Sequence, residues 1–210
     1  MSEKHTDTPL LTERFDNALL YASAHHRLQL RKGGQVPYLA HLLAVASIAL
    51  EAGATEDEAI GALLHDVIED GGGMDAHAEI TERFGPDVAR IVLANSDSVT
   101  GEAEKAPWRE RKQDYIDAIA HKPHDALLVS LADKVHNARS ILHDHKTVGE
   151  DLWARFETGE GESVRWYYRS LTEAFEARSD ELGEAAQPAL RELREIVDEL
   201  DARAASEASA

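Results

Sequence analysis

Residues 63–70 read Leu63-Leu64-His65-Asp66-Val67-Ile68-Glu69-Asp70, an apolar segment that carries four ionisable side chains. A helix turns once in about 3.6 residues, so His65 and Glu69 would share one line of its surface and Asp66 and Asp70 the adjacent line. One face then holds an imidazole and three carboxylates. Because such groups repel each other and lose hydration when buried together, the pattern indicates a bound cation, and a metal ion is the usual one.

The rest of the chain repeats its apolar residues at spacings of three and four, as amphipathic helices do. We expect helices at residues 10–28, 38–50, 56–68, 80–94, 108–120, 125–142, 163–177 and 188–202. Glycine and proline residues punctuate these stretches, and Thr55 with Glu58 forms a capping-box pattern at the start of the third. No segment alternates as a strand does. The sequence therefore predicts an all-α fold.

The length of 210 residues suits one large domain or one domain with an appendage, and a hydrophobic content of 43% suffices for a real core. We expect a flexible N-terminus at residues 1–9 and a main domain at residues 10–180. A C-terminal helix at residues 181–203 would pack on that domain or on a partner. Residues 204–210 would form a flexible tail.

The composition limits the possible cofactors and partners. The chain has no cysteine, so histidine nitrogen and carboxylate oxygen are the only strong metal ligands, and the candidate ions are manganese, iron, magnesium and zinc. A net charge of −18 argues against nucleic-acid binding. The N-terminus lacks a signal-peptide pattern and no apolar run is long enough to span a membrane, so we expect a cytoplasmic protein.

A small phosphorylated ligand remains compatible with the acidic composition if basic residues cluster locally. Three clusters are present: Arg27 with Arg31 and Lys32, Arg109 with Arg111 and Lys112, and Lys134 with Arg139. The alternative for each cluster is that it pairs with surplus carboxylates on a solvated face.

Two further residues complete a possible metal site. His41 lies near the start of an apolar helical stretch, and Asp133 follows the apolar run at residues 127–132. His41 alone fits a core or a capping role, and Asp133 alone fits a buried aspartate paired with Lys134 or with an arginine of a neighbouring helix. Together with His65 and Asp66, they supply two imidazoles and two carboxylates that a helical bundle can direct at one ion.

This pattern resembles the HD-domain metal-dependent phosphohydrolases, which share a histidine, a later His-Asp doublet and a distal aspartate. A more specific resemblance is to the hydrolase domain of RelA/SpoT-type enzymes and the small alarmone hydrolases. It rests on Arg31-Lys32 before Pro37-Tyr38 and His41, on residues 63–70, on Phe84-Gly85 with Val88, and on Leu131-Ala132-Asp133-Lys134-Val135-His136-Asn137-Ala138-Arg139. The motifs stand in the family's order over residues 20–145.

The resemblance implies a compact HD-domain bundle of about eight to ten helices that binds one divalent metal, usually manganese, through His41, His65, Asp66 and Asp133. The implied reaction is hydrolysis of the 3′-pyrophosphate of the guanosine alarmone (p)ppGpp, giving GDP or GTP and pyrophosphate. Glu69 would orient or deprotonate the attacking water, with Asp70 in support. The length leaves no room for the synthetase domain of the long family members, so we expect hydrolysis alone.

The resemblance also implies contacts with a small phosphorylated purine nucleotide. Arg31 and Lys32 would lie beside the nucleotide, and Asn137 matches a contacting position one turn after Asp133. The chemistry of Arg111 and Lys112 suits a phosphate clamp, and Tyr167 suits either a ribose or phosphate contact or a core position. Two departures are the extra residue in the stretch between Arg31 and His41 and the glycine at position 71.

Two other functions remain open at this point. One is a phosphohydrolase for another nucleotide, such as an adenosine alarmone or a deoxynucleoside monophosphate, because the motifs do not separate adenine from guanine. The other is a non-catalytic alarmone sensor or partner-binding module, against which the complete set of metal ligands counts. The pattern does not specify an oligomeric state.

Overall fold

The computed structural model describes residue 8, residues 10–96 and residues 106–207, and within these residues the protein is all-α, as predicted. The remaining residues of the expected N-terminus, and residues 208–210 of the expected tail, lie outside the described part. The helices are α1 (Glu13–His25), α2 (Leu39–Glu51), α3 (Glu56–Leu64), α4 (Gly73–Phe84), α5 (Pro86–Asn95), α6 (Trp108–Ile119), α7 (His124–Val148), α8 (Gly161–Glu176) and α9 (Ser179–Glu207). A π-helical turn (Ile68–Gly72) precedes α4, and a 3-10 helix (Gly149–Arg155) follows α7.

Helix α3 lies at the centre of the bundle. It packs against α1, α2, α5 and α7, and every residue from Glu58 to Leu64 is buried. Its start is held by the expected capping box, because the Glu58 backbone N–H donates to Thr55 Oγ1 and the Thr55 backbone N–H donates to Glu58 Oε2. The helix therefore delivers its C-terminal end, and the His65-Asp66 doublet, to the interior of the bundle.

The helix expected to continue through residue 68 instead ends at Leu64. The Val67 N–H bonds the Leu64 carbonyl at 3.0 Å, and a π-helical turn follows at residues 68–72 before Gly73 leaves helical geometry with φ of +53°. A run of three glycines permits this irregular backbone. His65 and Glu69 therefore do not share one line of a regular helix: His65 is buried, whereas Glu69 is exposed.

The boundaries of three other helical segments also differ from the expected ones, each for a local reason. The stretch at residues 80–94 spans two helices, since Gly85 has φ of +96° and Pro86 starts α5. Helix α7 extends six residues past Leu142. The sequence pattern predicted an earlier end because the last buried side chain, His145, is polar and does not continue the apolar spacing. Helix α9 begins at Ser179, bends at Gly183 and continues to Glu207.

Helix α9 packs against α7 and α8, so the C-terminal helix expected at residues 181–203 lies on the bundle itself. Its buried residues include Leu190, Leu193 and Val197, which extend the common core. None of the helices in the described residues is long and apolar enough to cross a membrane.

A close approach of α3 and α5 yields a stability prediction. A Cβ atom at Gly61 would lie 2.5 Å from the Ile91 Cγ2 atom, inside a core where both residues are buried. We expect Gly61→Ala to lower the free energy of unfolding by about 1–3 kcal/mol, because overpacking outweighs the better helix propensity of alanine. Urea denaturation measures this change.

The control for this prediction is a double-mutant cycle with Ile91→Ala, which removes the clashing methyl group. In that background Gly61→Ala should cost less than in the wild type. Equal costs in the two backgrounds would show that the contact with Ile91 is not the cause.

Candidate metal centre

Four side chains predicted as metal ligands meet between three elements of the bundle. His41 comes from α2, His65 and Asp66 follow α3, and Asp133 comes from α7. His41 Nε2 lies 3.3 Å from His65 Nε2, 3.5 Å from Asp66 Oδ2 and 3.3 Å from Asp133 Oδ1. His65 Nε2 lies 3.0 Å from Asp66 Oδ2 and 3.6 Å from Asp133 Oδ1. Asp66 is half-buried and the other three are buried.

These separations fit a set of ligands for a single ion. Ligand atoms at about 2.1 Å from a metal lie about 3.0 Å apart at a right angle and about 3.4 Å apart at the tetrahedral angle. His41, His65 and Asp133 form the candidate metal-binding cluster of the described residues, and Asp66 Oδ2 lies within 3.5 Å of both histidines. Two nitrogen and two oxygen donors suit a divalent cation.

The ring of His65 is oriented by its own helix. Its Nδ1 lies 2.9 Å from the Ala62 carbonyl oxygen, which can only accept a hydrogen bond. Nδ1 therefore carries a proton, and Nε2, which faces the other three ligand atoms, is the nitrogen that would bind a metal ion.

The ring of His41 is oriented by a second histidine on α7. His41 Nδ1 lies 2.7 Å from His136 Nδ1, so one of the two nitrogens donates and the other accepts. Burial, the neighbouring His41 and then Arg31 lower the pKa of His136 to about 4, which leaves His136 neutral near pH 7. If His136 Nδ1 accepts, His41 holds its proton on Nδ1 and directs its Nε2 lone pair into the centre.

Opposite charges within the cluster, and on the neighbouring Lys134, shift the pKa values of its members. Burial raises the pKa of Asp66 and Asp133, but the facing histidines, and Lys134 for Asp133, outweigh burial and hold both pKa values below the usual range. Burial lowers the pKa of His65, yet the two carboxylates outweigh it and hold that pKa well above its usual value. A metal ion bound here would compete with a proton for the imidazole.

Donors from other elements hold the two carboxylates. The Tyr38 hydroxyl donates to Asp66 Oδ2 at 2.6 Å. Lys134 Nζ donates to Asp133 Oδ2 at 2.7 Å, and Asn137 Nδ2 donates to Asp133 Oδ1 at 2.5 Å. These bonds limit rotation of both carboxylates and retain their anionic form.

Two of the predicted substrate residues lie directly beside the centre. Arg31 Nη2 donates to Asn137 Oδ1 at 2.8 Å, and the Arg31 guanidinium lies 5.9 Å from the centroid of the Tyr38 ring. Arg31 stands at the start of a short hairpin turn in which its N–H bonds the Val36 carbonyl at 2.8 Å. Arg31 lies near the metal ligands, although the stretch between Arg31 and His41 was expected to be one residue longer than in the family.

Glu69 and Asp70 lie in the π-helical turn that follows the His65-Asp66 doublet, and both are exposed. Asp70 Oδ2 accepts a hydrogen bond from Gln29 Nε2 at 2.7 Å. The two predicted catalytic acids thus stand next to the ligands in the chain but outside the buried cluster.

Two clefts of about 300 and 500 Å³ adjoin the centre and share Arg31 and Lys32 in their linings. The smaller cleft also has aromatic and apolar walls, from Tyr38, Ile141, Leu152, Phe156 and Tyr168.

The larger cleft reaches His41 and His136 and includes Arg139 and Arg155. Asp144 is the single acidic residue that the described part of the chain contributes to either lining. In a chain of net charge −18, these walls are locally basic.

The other three predicted substrate residues lie elsewhere. Arg111 Nη2 pairs with Glu157 Oε2 at 2.7 Å, and Lys112 Nζ lies 5.1 Å from the centroid of the Tyr167 ring. Tyr167 is buried. The linings described for the two clefts contain none of these three residues.

Sequence reasoning assigned no role to Tyr38 and His136, which the structure places at the centre. Both stand inside the quoted motifs, so their positions were a usable signal. Their partners lie on other elements, as in the pair His41 and His136, which are 95 residues apart in the chain. Lys134 was considered only as part of a basic cluster or as a partner of Asp133, and the structure pairs it with Asp133. Arg155 stands in no motif, and its place in the clefts follows only from the 3-10 helix after α7.

Comparison with known proteins agrees with this geometry. A family model described as the HD domain matches residues 18–161. The guanosine-3′,5′-bis(diphosphate) 3′-pyrophosphohydrolase of Drosophila melanogaster is 38% identical over 132 residues, which are 61% of this chain and 69% of that protein. A GTP pyrophosphokinase of Myxococcus xanthus is 33% identical over 68% of this chain, which spans only 19% of that longer protein.

The solved structures give the same result. One, a metazoan ortholog of SpoT that hydrolyzes ppGpp, superposes with a TM-score of 0.69 at 27% identity and covers 92% of this chain and 98% of its own. A Listeria monocytogenes structure has a TM-score of 0.61 at 25% identity and covers 75% of this chain and 99% of its own. An HD domain implies dependence on a divalent metal, for which this chain offers the cluster described above. The chain belongs to the HD-domain family of phosphohydrolases and, within it, to the RelA/SpoT-type group.

Proposed function

We propose that this protein hydrolyses the 3′-pyrophosphate of the guanosine alarmone (p)ppGpp, releasing pyrophosphate and GDP or GTP. The observation that carries the proposal is the convergence of four nitrogen and oxygen ligands beside clefts that are basic in an acidic protein. A substrate with several phosphate groups suits such walls. The Drosophila melanogaster relative is a guanosine-3′,5′-bis(diphosphate) 3′-pyrophosphohydrolase, which supports the same reaction.

Manganese is the ion that we propose for the centre, held by His41, His65, Asp66 and Asp133. The donor set contains no sulfur, its two carboxylates are ligands that manganese accepts, and the resemblance to the alarmone hydrolases implies the same ion. A divalent metal held there would supply Lewis acidity that activates water and offsets negative charge at the reacting phosphate. We place the reaction in the cytoplasm.

Glu69 is the proposed general base, and Asp70 is its proposed partner. Both carboxylates are exposed and stand directly after the ligand doublet, so they can meet solvent and substrate while the buried ligands hold the ion. Glu69 would take a proton from the attacking water, and Asp70 would orient that water or pass the proton to solvent.

Binding of the nucleotide is proposed for Arg31, Lys32 and Asn137. Arg31 and Lys32 line both clefts, and Asn137 lines the smaller one. A guanidinium can stack on a purine or bind phosphate in a bidentate fashion, whereas an ammonium binds phosphate as a point charge. Asn137 also bonds Asp133, so the nucleotide would bind within one side chain of a metal ligand.

A supporting role is proposed for Arg111, Lys112 and Tyr167, which lie outside the lining of the smaller cleft but next to residues that form it. The Tyr167 ring centroid lies 5.5 Å from that of Tyr168, which lines this cleft. Arg111 bonds Glu157, the residue next to the lining residue Phe156. From these places the two basic side chains would add positive charge near bound phosphate groups.

The proposed reaction is tested by incubating the manganese-loaded protein with guanosine and adenosine alarmones and with nucleoside monophosphates. We expect pyrophosphate and GDP from ppGpp, identified by anion-exchange chromatography. Turnover of the adenosine alarmone alone would show that the substrate is an adenosine and not a guanosine nucleotide. Orthophosphate from monophosphates, without pyrophosphate from ppGpp, would contradict the proposal, and binding without turnover would indicate a sensor.

The ligand set is tested by His65→Ala and Asp66→Ala. Each variant should lose bound metal and fall to background turnover, because each removes one donor and leaves a buried opposite group unpaired. Metal content per chain, from elemental analysis, and pyrophosphate release measure the two effects. His121→Ala, at an exposed histidine after α6, is the matched control and should behave as the wild type. Full turnover by either ligand variant would show that the site is misassigned.

The role of Glu69 is tested by Glu69→Gln, which preserves size and removes the base. We expect kcat to fall by about 10²- to 10⁴-fold while metal content stays at the wild-type value. Loss of the metal would show that Glu69 is a metal ligand. An unchanged kcat would show that Glu69 takes no part in the chemical step.

A further inference from the structure

We propose that Gln29 and His26 are positioning residues that hold the Asp70 carboxylate in place for the reaction. This inference rests on the proposed function, in which Asp70 assists the attack of water. The observation that carries it is a chain of hydrogen bonds from a buried imidazole, through one amide, to an exposed carboxylate.

The direction of each hydrogen bond follows from the chemistry of the carboxylate. Gln29 Nε2 lies 2.7 Å from Asp70 Oδ2, and an ionised carboxylate can only accept, so the amide turns its NH₂ group toward Asp70. The Gln29 Oε1 atom then faces His26 Nδ1 at 2.6 Å and can only accept. His26 therefore carries its proton on Nδ1, and all three polar groups have one consistent orientation.

The far end of the hydrogen-bond chain is buried and held by several contacts. His26 is 2% exposed and caps the C-terminal end of α1 through its backbone N–H, which bonds the Ala22 carbonyl at 3.0 Å. Its ring stacks on the Tyr38 ring with a centroid distance of 5.1 Å and an angle of 25° between the planes. The Gln29 backbone N–H bonds the His26 carbonyl at 3.0 Å. Gln29 is thus anchored at its backbone and at its amide oxygen.

The same segment also holds a metal ligand. The Tyr38 backbone N–H bonds the Gln29 carbonyl at 2.9 Å, while the Tyr38 hydroxyl donates to Asp66 Oδ2 at 2.6 Å. The hydrogen-bonded segment of residues 26–38 binds Asp66 through Tyr38 and Asp70 through Gln29. This segment therefore determines how far the Asp70 carboxylate lies from the metal ligands. Asp70 itself stands in an exposed turn beside three glycines.

Replacing Gln29 with leucine removes both hydrogen bonds at similar size. For ppGpp hydrolysis by the manganese-loaded protein, we expect Gln29→Leu to lower kcat by about 10- to 100-fold with KM changed less than about threefold, because misplacement of a reacting group acts on the chemical step. Metal content and the thermal midpoint of unfolding should stay at their wild-type values. His26→Phe keeps the stack on Tyr38 and should lower kcat in the same direction.

The matched control is Gln113→Leu, which removes an equivalent bond between an exposed glutamine and Asp117, 2.8 Å long, on α6. It should leave kcat unchanged. The decisive comparison is the double variant of Gln29→Leu with Asp70→Ala. If Gln29 acts through Asp70, the double variant is as slow as Asp70→Ala alone.

Independent, multiplicative losses in the double variant would overturn the proposal, and so would wild-type kcat in Gln29→Leu. Loss of metal or of thermal stability in Gln29→Leu would also overturn it, since Gln29 would then have a structural role. Failure of the proposed function looks different, because wild-type protein would release no pyrophosphate from ppGpp. In that case the cycle is run on the substrate that the panel of nucleotides identifies.

Discussion

The close approach of two imidazoles and two carboxylates is the constraint on which the rest of this structure depends. Nitrogen and oxygen atoms 3.0–3.6 Å apart, mostly shielded from water, are costly unless their charges are neutralised and their orientations are held. Three helices must therefore end or pass at one point. The dense packing of α3, which lacks room for a Cβ at Gly61, brings the His65-Asp66 doublet to that point.

The hydrogen bonds around the ligands make this constraint directional. Ala62 and His136 determine which nitrogen of each ligand histidine faces the centre, and Tyr38 and Lys134 hold the carboxylates. Since Arg31 bonds Asn137, and Asn137 bonds Asp133, the wall of the clefts is joined to a metal ligand by two hydrogen bonds. Binding of an anion by Arg31 would therefore be coupled to the position of Asp133.

The electrostatic character of the molecule differs between its whole surface and the clefts. A net charge of −18 repels polyanions at long range, as the composition indicated for nucleic acid. Arg31, Lys32, Arg139 and Arg155 nevertheless converge on the cleft that reaches His41. Their effect is local because mobile ions screen charges beyond about 10 Å at moderate salt. A small phosphorylated ligand is therefore compatible with a strongly acidic protein.

The sequence by itself determined the helical class, the ligand residue types and the order of the motifs, because these depend on local spacing and on the absence of cysteine. The recurrence of His41, the His65-Asp66 doublet and Asp133 in apolar stretches was sufficient to predict their meeting. Only the tertiary structure decided that α3 stops at Leu64, that Glu69 is exposed, and that Arg111 lies apart from both clefts. It also decided the contacts of Gln29 with Asp70 and of His41 with His136, which join residues 41 and 95 positions apart. Spacing along a chain predicts which side chains share a helix face, whereas hydrogen-bond partners and cleft walls depend on how separate helices pack together.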